Sequence, residues 1–250
     1  CLVGSEMCIR DSIYIGGYVE DADIWSGQDI IIQDGVNAGE NGRIEAMGNI
    51  SARFFENAHI ISHSDIKCDY MLNTTALAYG GIYLEGKRGS VIGGDVTGVR
   101  GISIRGCGSE SYSKTVLRVG VTKEISSEYA KVLMVLKDID TQIDRFNQAL
   151  QKLDILKKAG SDKFDETLNR KLLQSKIVKT AEKAKYEEKS RNLYTLVRES
   201  DRAVVRIDKN IYPGSRVFMG DKTYVPSTVF THIALKKTSQ GVLIRNYDSM

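Results

Sequence analysis

A short unit recurs through the first half of the chain: a turn residue or two, then Asp or Asn, then a β-branched residue. It reads Gly27-Gln28-Asp29-Ile30, Met47-Gly48-Asn49-Ile50, His63-Ser64-Asp65-Ile66 and Gly93-Gly94-Asp95-Val96, with Gly80-Gly81-Ile82 as a shortened form. The β-branched anchors stand 20, 16, 16 and 14 residues apart. Repetition at such a period constrains the fold strongly, because each copy is too small to bury its apolar face except against the next copy. Between anchors, apolar and polar residues alternate, as in Arg43-Ile44-Glu45-Ala46, His59-Ile60-Ile61-Ser62 and Ile102-Ser103-Ile104-Arg105, which is strand periodicity. Of the 23 glycines, 18 lie between Ile13 and Gly120, where tight corners would need positive φ. A Gly-rich β-sandwich is the competing fold, but the alternating runs are short and Asn-Gly occurs only at Asn41-Gly42. The expected class is mainly β with inserted α: a parallel β-helix, or β-solenoid, over residues 13–120. Its variable rung length suits a right-handed coil better than a strict hexapeptide left-handed one.

After Gly120 the period changes. Ile125, Tyr129, Val132, Leu136, Ile139, Ile143, Phe146, Leu150 and Leu153 follow a 4, 3, 4, 3, 4, 3, 4, 3 spacing, the seam of a coiled coil. The helix is expected to start after Ser126 or Ser127 and to stop near Ala159-Gly160. A second helix, from about Asp162 to Glu199, carries Leu168, Leu172, Leu173, Ile177, Ala181, Ala184, Leu193 and Leu196 in a less regular seam. The short Gly-containing turn between them predicts a long antiparallel coiled-coil hairpin over residues 121–202. Residues 203–250 return to strand writing, with a turn at Ile211-Tyr212-Pro213-Gly214, and are expected to complete or cap the solenoid.

Residues 1–12 join neither pattern and resemble a translated sequencing adapter, so they are set outside the fold, with native N-terminal residues expected to be missing. That removes Cys1 and Cys8 and leaves Cys68 and Cys107, widely spaced and without CxxC or nearby histidine, as reduced packed cysteines. The net charge of +3 is spread unevenly. Residues 13–120 hold 13 acids and 9 bases, 121–202 hold 14 and 18, and 203–250 hold 3 and 7. The basic tract Lys176, Lys179, Lys183, Lys185, Lys189 and Arg191 is interrupted by Glu182, Glu187 and Glu188, which argues for a solvated helix face rather than a nucleic-acid stripe.

The motifs Gly42-Arg43-Ile44-Glu45-Ala46-Met47-Gly48-Asn49-Ile50, Phe54-Phe55-Glu56-Asn57-Ala58-His59-Ile60, Gly93-Gly94-Asp95-Val96 and Leu117-Arg118-Val119-Gly120 stand in this order of segments. In that combination the chain resembles the flagellar assembly protein A (FapA) family. The resemblance runs from Ile13 to the C-terminus. It implies a β-solenoid with an inserted coiled coil, a bacterial cytoplasmic protein acting in flagellar assembly or its polar regulation at the cell pole, and no catalytic residues. The stretch Cys68 to Ala78 lacks the glycines expected of the family, so one rung there is expected to be distorted.

Chemical motifs are sparse. His59 and His63, four apart with Asp65 and Asp69 near, fall short of a metal set, and His59 as an acyltransferase base lacks the six-residue period. Asp29, Asp65 and Asp95 recur at one motif position and would repel if stacked, so single corner caps are the better reading. Gly86-Lys87-Arg88-Gly89-Ser90 is too short for a phosphate loop. The expectation is a non-enzymatic scaffold without cofactor or metal. Its coiled-coil seam from Ile125 to Leu153 and its solenoid surface would contact protein partners or a second copy. A β-helix enzyme acting on a polysaccharide or acyl donor, and a bactofilin-like polymerising scaffold, are the alternatives.

Overall fold

The computed structural model describes residues 2–3, 6–9, 11–39, 42–121, 123–160 and 164–246, without the side chains of residues 2–3, 6–9, 123 and 124. The side chains of Cys1 and Cys8 therefore lie outside the described residues. So does Asn41 of the one Asn-Gly pair.

Each coil of the chain lays down up to three short strands, which stack coil on coil into three parallel sheets. The first sheet holds Ile13–Ile15, Ile30–Ile32, Ile50–Ser51, Ile66–Cys68, Gly81–Leu84, Gly101–Ile104 and Val204–Ile211. The second runs from Leu2–Val3 through Val19–Glu20, Gly35–Asn37 and Phe54–Glu56 to the early parts of Tyr70–Ala78 and Ser90–Gly98, and ends on Gly106–Cys107 and Ile211. The third runs from Glu6–Ile9 through Asp23–Ser26, Arg43–Ala46 and His59–Ser62 to the later parts of those two long strands, then Thr115–Val119 and Ser215–Met219, so that Leu2–Val3 and Glu6–Ile9, expected outside the fold, pair with its first coil. This is a parallel β-solenoid.

Because pairing is parallel and in register, inward residues form columns. Ile13, Ile30, Ile50, Ile66, Ile82, Ile102 and Val205 stack in the first sheet. Val19, Val36, Phe55, Met71, Val91, Cys107 and Ile211 do so in the second, and Ile24, Ile44, Ile60, Ala76, Val96, Leu117 and Val217 in the third. All are buried and make up one continuous core. Val96 thus belongs to a different column from Ile30, Ile50 and Ile66, whose successor is Ile102. Gly93-Gly94-Asp95 imitates the repeat but turns the corner between the second and third sheets, not between the third and the first.

The corners explain the residue choices. Asp29 Oδ1 accepts the Asn49 N–H at 2.6 Å, Asn49 Oδ1 accepts the Asp65 N–H at 3.2 Å, and Asp65 Oδ1 accepts the Gly81 N–H at 2.7 Å. Each side chain caps the coil above it, and the amide of Asn49 separates the two carboxylates that would repel. Asp95 stands outside this column and pairs with Arg118 instead. The stretch Cys68 to Ala78 keeps its rung regular without glycine. Asn73 takes φ +47°, at the corner where the neighbouring coils use Asn57 at +48° and Gly93 at +71°. Asn tolerates this left-handed conformation better than other residues with a Cβ.

The last strands reverse direction. Phe230–Lys237 pairs antiparallel with Val204–Ile211, Val242–Asn246 pairs antiparallel with it in turn, and Lys222–Tyr224 covers Ser215–Met219. They occupy the backbone groups that a terminal coil would otherwise offer to other chains.

Between Thr115–Val119 and Val204–Ile211 the chain forms α1 (Lys123–Lys158) and α2 (Glu166–Ser200). The first helix starts before Ser126 and Ser127, which lie inside it rather than at its cap. Its end at Gly160, φ +58°, is the expected glycine C-cap. The second helix begins four residues later than Asp162, because Asp165 Oδ1 accepts the Leu168 N–H at 3.0 Å and caps it there. A Cβ on Gly120 would lie 3.8 Å from the Ser200 carbonyl oxygen, so the insertion leaves and re-enters the solenoid at adjacent points. The chain divides into two compact units, Cys1–Thr122 with Leu196–Met250, and Lys123–Thr195.

Ile66 is fully buried between Ile50 and Ile82. Ile66→Ala should cost about 2–5 kcal/mol in urea unfolding. Ile31→Ala, at an outward position 42% exposed, should cost well under half of that.

Candidate protein-contact surfaces

The nine seam residues of α1 fall on one stripe. Ile125, Val132, Ile139 and Leu153 are buried, and Tyr129, Leu136, Ile143, Phe146 and Leu150 are half-buried. On α2 the shielded positions include Leu172, Lys176, Lys179, Lys183, Tyr186, Ser190, Leu193 and Val197, again at 4, 3, 4, 3, 4, 3, 4 spacing. The two stripes belong to an antiparallel hairpin. Glu128 near the start of α1 accepts Lys189 Nζ at 2.6 Å, Asp140 accepts Lys183 Nζ at 2.7 Å, and the Tyr129 and Tyr194 rings lie 6.4 Å apart. The bonds to Asp140 and Glu128 raise the pKa values of Lys183 and Lys189 above the usual ammonium range.

This corrects the expected second seam. Leu172, Leu193 and Leu196 are shielded, but Leu168, Leu173, Ile177, Ala181 and Ala184 are exposed. The phase of α2 follows Leu172, Tyr186, Leu193 and Val197; Lys176, Lys179 and Lys183 between them are half-buried, as long side chains with apolar stems can be, and the ammonium groups of Lys179 and Lys183 reach Glu182 and Asp140. The clue in the sequence was the unbroken 4-3 spacing, hidden because three of its positions are lysine.

On the solenoid, side chains pointing outward form ladders. Tyr18, Phe54 and Tyr70 make an aromatic column, with ring centroids 6.1 and 5.2 Å apart, and the Arg88 guanidinium lies 4.7 Å above the Tyr70 ring. Gly35 is required beneath it, since a Cβ there would come within 2.3 Å of the Phe54 ring. Tyr70 donates its hydroxyl to Glu56 at 2.7 Å. Its pKa is raised by burial first and by the Glu56 carboxylate second. On the third sheet Arg118 holds the Asp95 carboxylate with two nitrogens, at 2.8 and 2.9 Å, and lies 4.5 Å above the Phe218 ring. These paired charges and flat rings suit contact with a protein surface.

The groups with chemical potential lie apart. His63 stacks on Tyr79 at 4.9 Å and sits 3.5 Å from Glu45 Oε1. His59 occupies an exposed outward position of its strand. Among the described residues no three of His, Cys, Asp and Glu are grouped closely enough to hold a metal ion. The loop at Gly86 to Ser90 gives its Arg88 and Gly89 N–H groups to Asp69 Oδ1, at 2.9 and 3.2 Å, so its donors serve the corner. No described helix is long and apolar enough to cross a membrane.

Cys68 and Cys107 are buried and free. Burial, aided by the Asp69 charge, raises the Cys68 pKa far above the usual thiol range, and burial pushes Cys107 up to about 12. Only the thiolate attacks disulfide reagents. In a Cys1→Ser, Cys8→Ser variant, neither thiol should react with a disulfide reagent at pH 8 until denaturant is added; rapid labelling of the native chain would contradict this burial.

Residues 3–240 match the family described as the Flagellar Assembly Protein A beta solenoid domain. No curated protein and no solved structure gave a match. With parallel coils, inward columns and an inserted helical hairpin all present within the matched span, the chain belongs to the flagellar assembly protein A family.

Proposed function

We propose that this protein is a non-enzymatic scaffold of flagellar assembly in the bacterial cytoplasm, acting at the cell pole, and that it engages protein partners through the helical hairpin and the solenoid ladders. The observation that carries the reading is the insertion of helices of 36 and 35 residues between two coils of one solenoid. The coils need no such insertion, since the chain re-enters beside the point where it left. A long helical pair at that place is best accounted for as a recognition element. The seam residues Ile125, Tyr129, Val132, Leu136, Ile139, Ile143, Phe146, Leu150 and Leu153 then serve the partner by setting the shape and phase of the hairpin. The aromatic column at Tyr18, Phe54 and Tyr70 supplies a second flat contact. End-to-end polymerisation is the weaker reading, because antiparallel strands cover the C-terminal coil.

The test is affinity capture from a flagellated bacterium, with the captured proteins identified by mass spectrometry. The wild-type chain should retain flagellar assembly proteins. A Val132→Asp, Ile139→Asp variant, which places two charges in the buried seam, should lose them while its β-type circular dichroism persists. An unchanged set of captured proteins would show that the hairpin is not the contact.

A further inference from the structure

The face of α2 turned away from α1 carries its own pattern. Glu166, Arg170, Leu173, Ile177, Ala181, Ala184, Glu188 and Arg191 recur at 4, 3, 4, 4, 3, 4 and 3 residues, which places them along one side of the helix. All are exposed, Leu173 at 44% and Ile177 at 67%, and Val178 beside them at 65%. An amphipathic helix with one partner has one apolar stripe. Here a second stripe lies opposite the first, rimmed by charge at both ends.

The order of those charges is self-complementary. Read from the N-terminal end the stripe goes acid, base, apolar centre, acid, base. Laid antiparallel against a second copy of itself about a two-fold axis near position 179, Ile177 faces Ala181 of the other copy, and Leu173 faces Ala184. Arg170 then faces Glu188, and Glu166 faces Arg191, each pair occurring twice. A two-fold axis perpendicular to the helices keeps each residue on its own side of the interface, and the members of each pair leave α2 on the same side of the stripe. Among the described residues none of these four charged side chains has an ion-pair partner, whereas Lys179, Lys183 and Lys189 of the same helix do. The stripe from Glu166 to Arg191 is about 38 Å long at 1.5 Å per residue. A parallel arrangement would set Arg170 against Arg170 and Glu188 against Glu188, so the charges select the antiparallel one.

We infer that the outward face of α2 is a homodimer interface, pairing with the same face of a second copy in antiparallel register. The interface is isologous, as closed two-fold dimers require. Its hydrophobic part is short, so the association is weak to moderate and depends on the charges for its register.

Sedimentation velocity of the full chain in reducing buffer, over a concentration series, tests this. The wild-type chain should show a monomer–dimer equilibrium. Ile177→Asp should weaken it by at least about tenfold, since the carboxylate would be buried unpaired. Arg170→Glu and Glu188→Arg should each weaken self-association by about tenfold, because two attractive pairs become two repulsive ones. Mixed in equal amounts, these two variants should dimerise with each other close to the wild-type strength, since one then carries acids at both positions and the other bases. Circular dichroism should show unchanged helix content in all three, as every altered residue is exposed. A wild-type chain that stays monomeric to its solubility limit would overturn the inference. So would single variants that associate as the parent does, or a mixture no more associated than its components. None of these results bears on the α1 seam, so partner capture through the hairpin stands or falls separately.

Discussion

Parallel, in-register stacking is the constraint from which the rest of the structure follows. Once Ile30 pairs with Ile50 and Ile50 with Ile66, every inward position on a coil lies over the equivalent position of its neighbour, and a slip of one residue would turn the whole apolar set outward. The columns are therefore filled mostly by Ile, Val and Leu, with Phe55, Met71 and Cys107 in the second sheet and Ala76 in the third. Corners then have to satisfy the backbone between coils. Asp29, Asn49 and Asp65 do so by reaching up to the next coil's N–H, a long-range bond made by residues that in isolation look like ordinary turn formers.

The same constraint explains why a long insertion is tolerated. A solenoid adds coils one at a time, and a coil needs only that its strands land in register. Thr115–Val119 and Ser215–Met219 are direct neighbours in the third sheet although about 100 residues separate them. Gly120, at φ +92°, turns the chain out of the ladder beside Ser200. The antiparallel strands that follow close the stack, and the ion pair from Lys237 to Asp221 at 2.8 Å joins two of the closing segments.

Much of this was legible in the sequence, for identifiable reasons. The β-branched anchors at Ile30, Ile50, Ile66 and Ile82 show the coil period because inward positions admit few residue types. The α1 seam was legible because all nine of its residues are apolar or aromatic. The α2 seam was not, since Lys176, Lys179 and Lys183 read as surface residues, and their phase shows only in their burial and in the bond from Lys183 to Asp140 of the other helix. The Gly93-Gly94-Asp95-Val96 copy misled because one residue pattern serves two different corners. Asn73 replaced a glycine at a corner without distorting its coil, which no count of glycines could foresee. The partner-contact role proposed for the hairpin rests on its regular seam, the length of its helices and the family resemblance, since a helix states its own geometry in sequence far more clearly than what will bind to it.

The chain is thus a ladder whose stability comes from neighbouring coils, with a separately patterned pair of helices inserted between two of them. The most direct test is to replace residues 121–202 with a short glycine linker joining Gly120 to Ala203, and to follow thermal unfolding by far-ultraviolet circular dichroism. If the coils on either side of the insertion are one continuous stack, the shortened chain folds, gives a β-type spectrum and unfolds in a single cooperative transition. A disordered spectrum, or separate transitions for the coils before and after the junction, would contradict the continuous ladder.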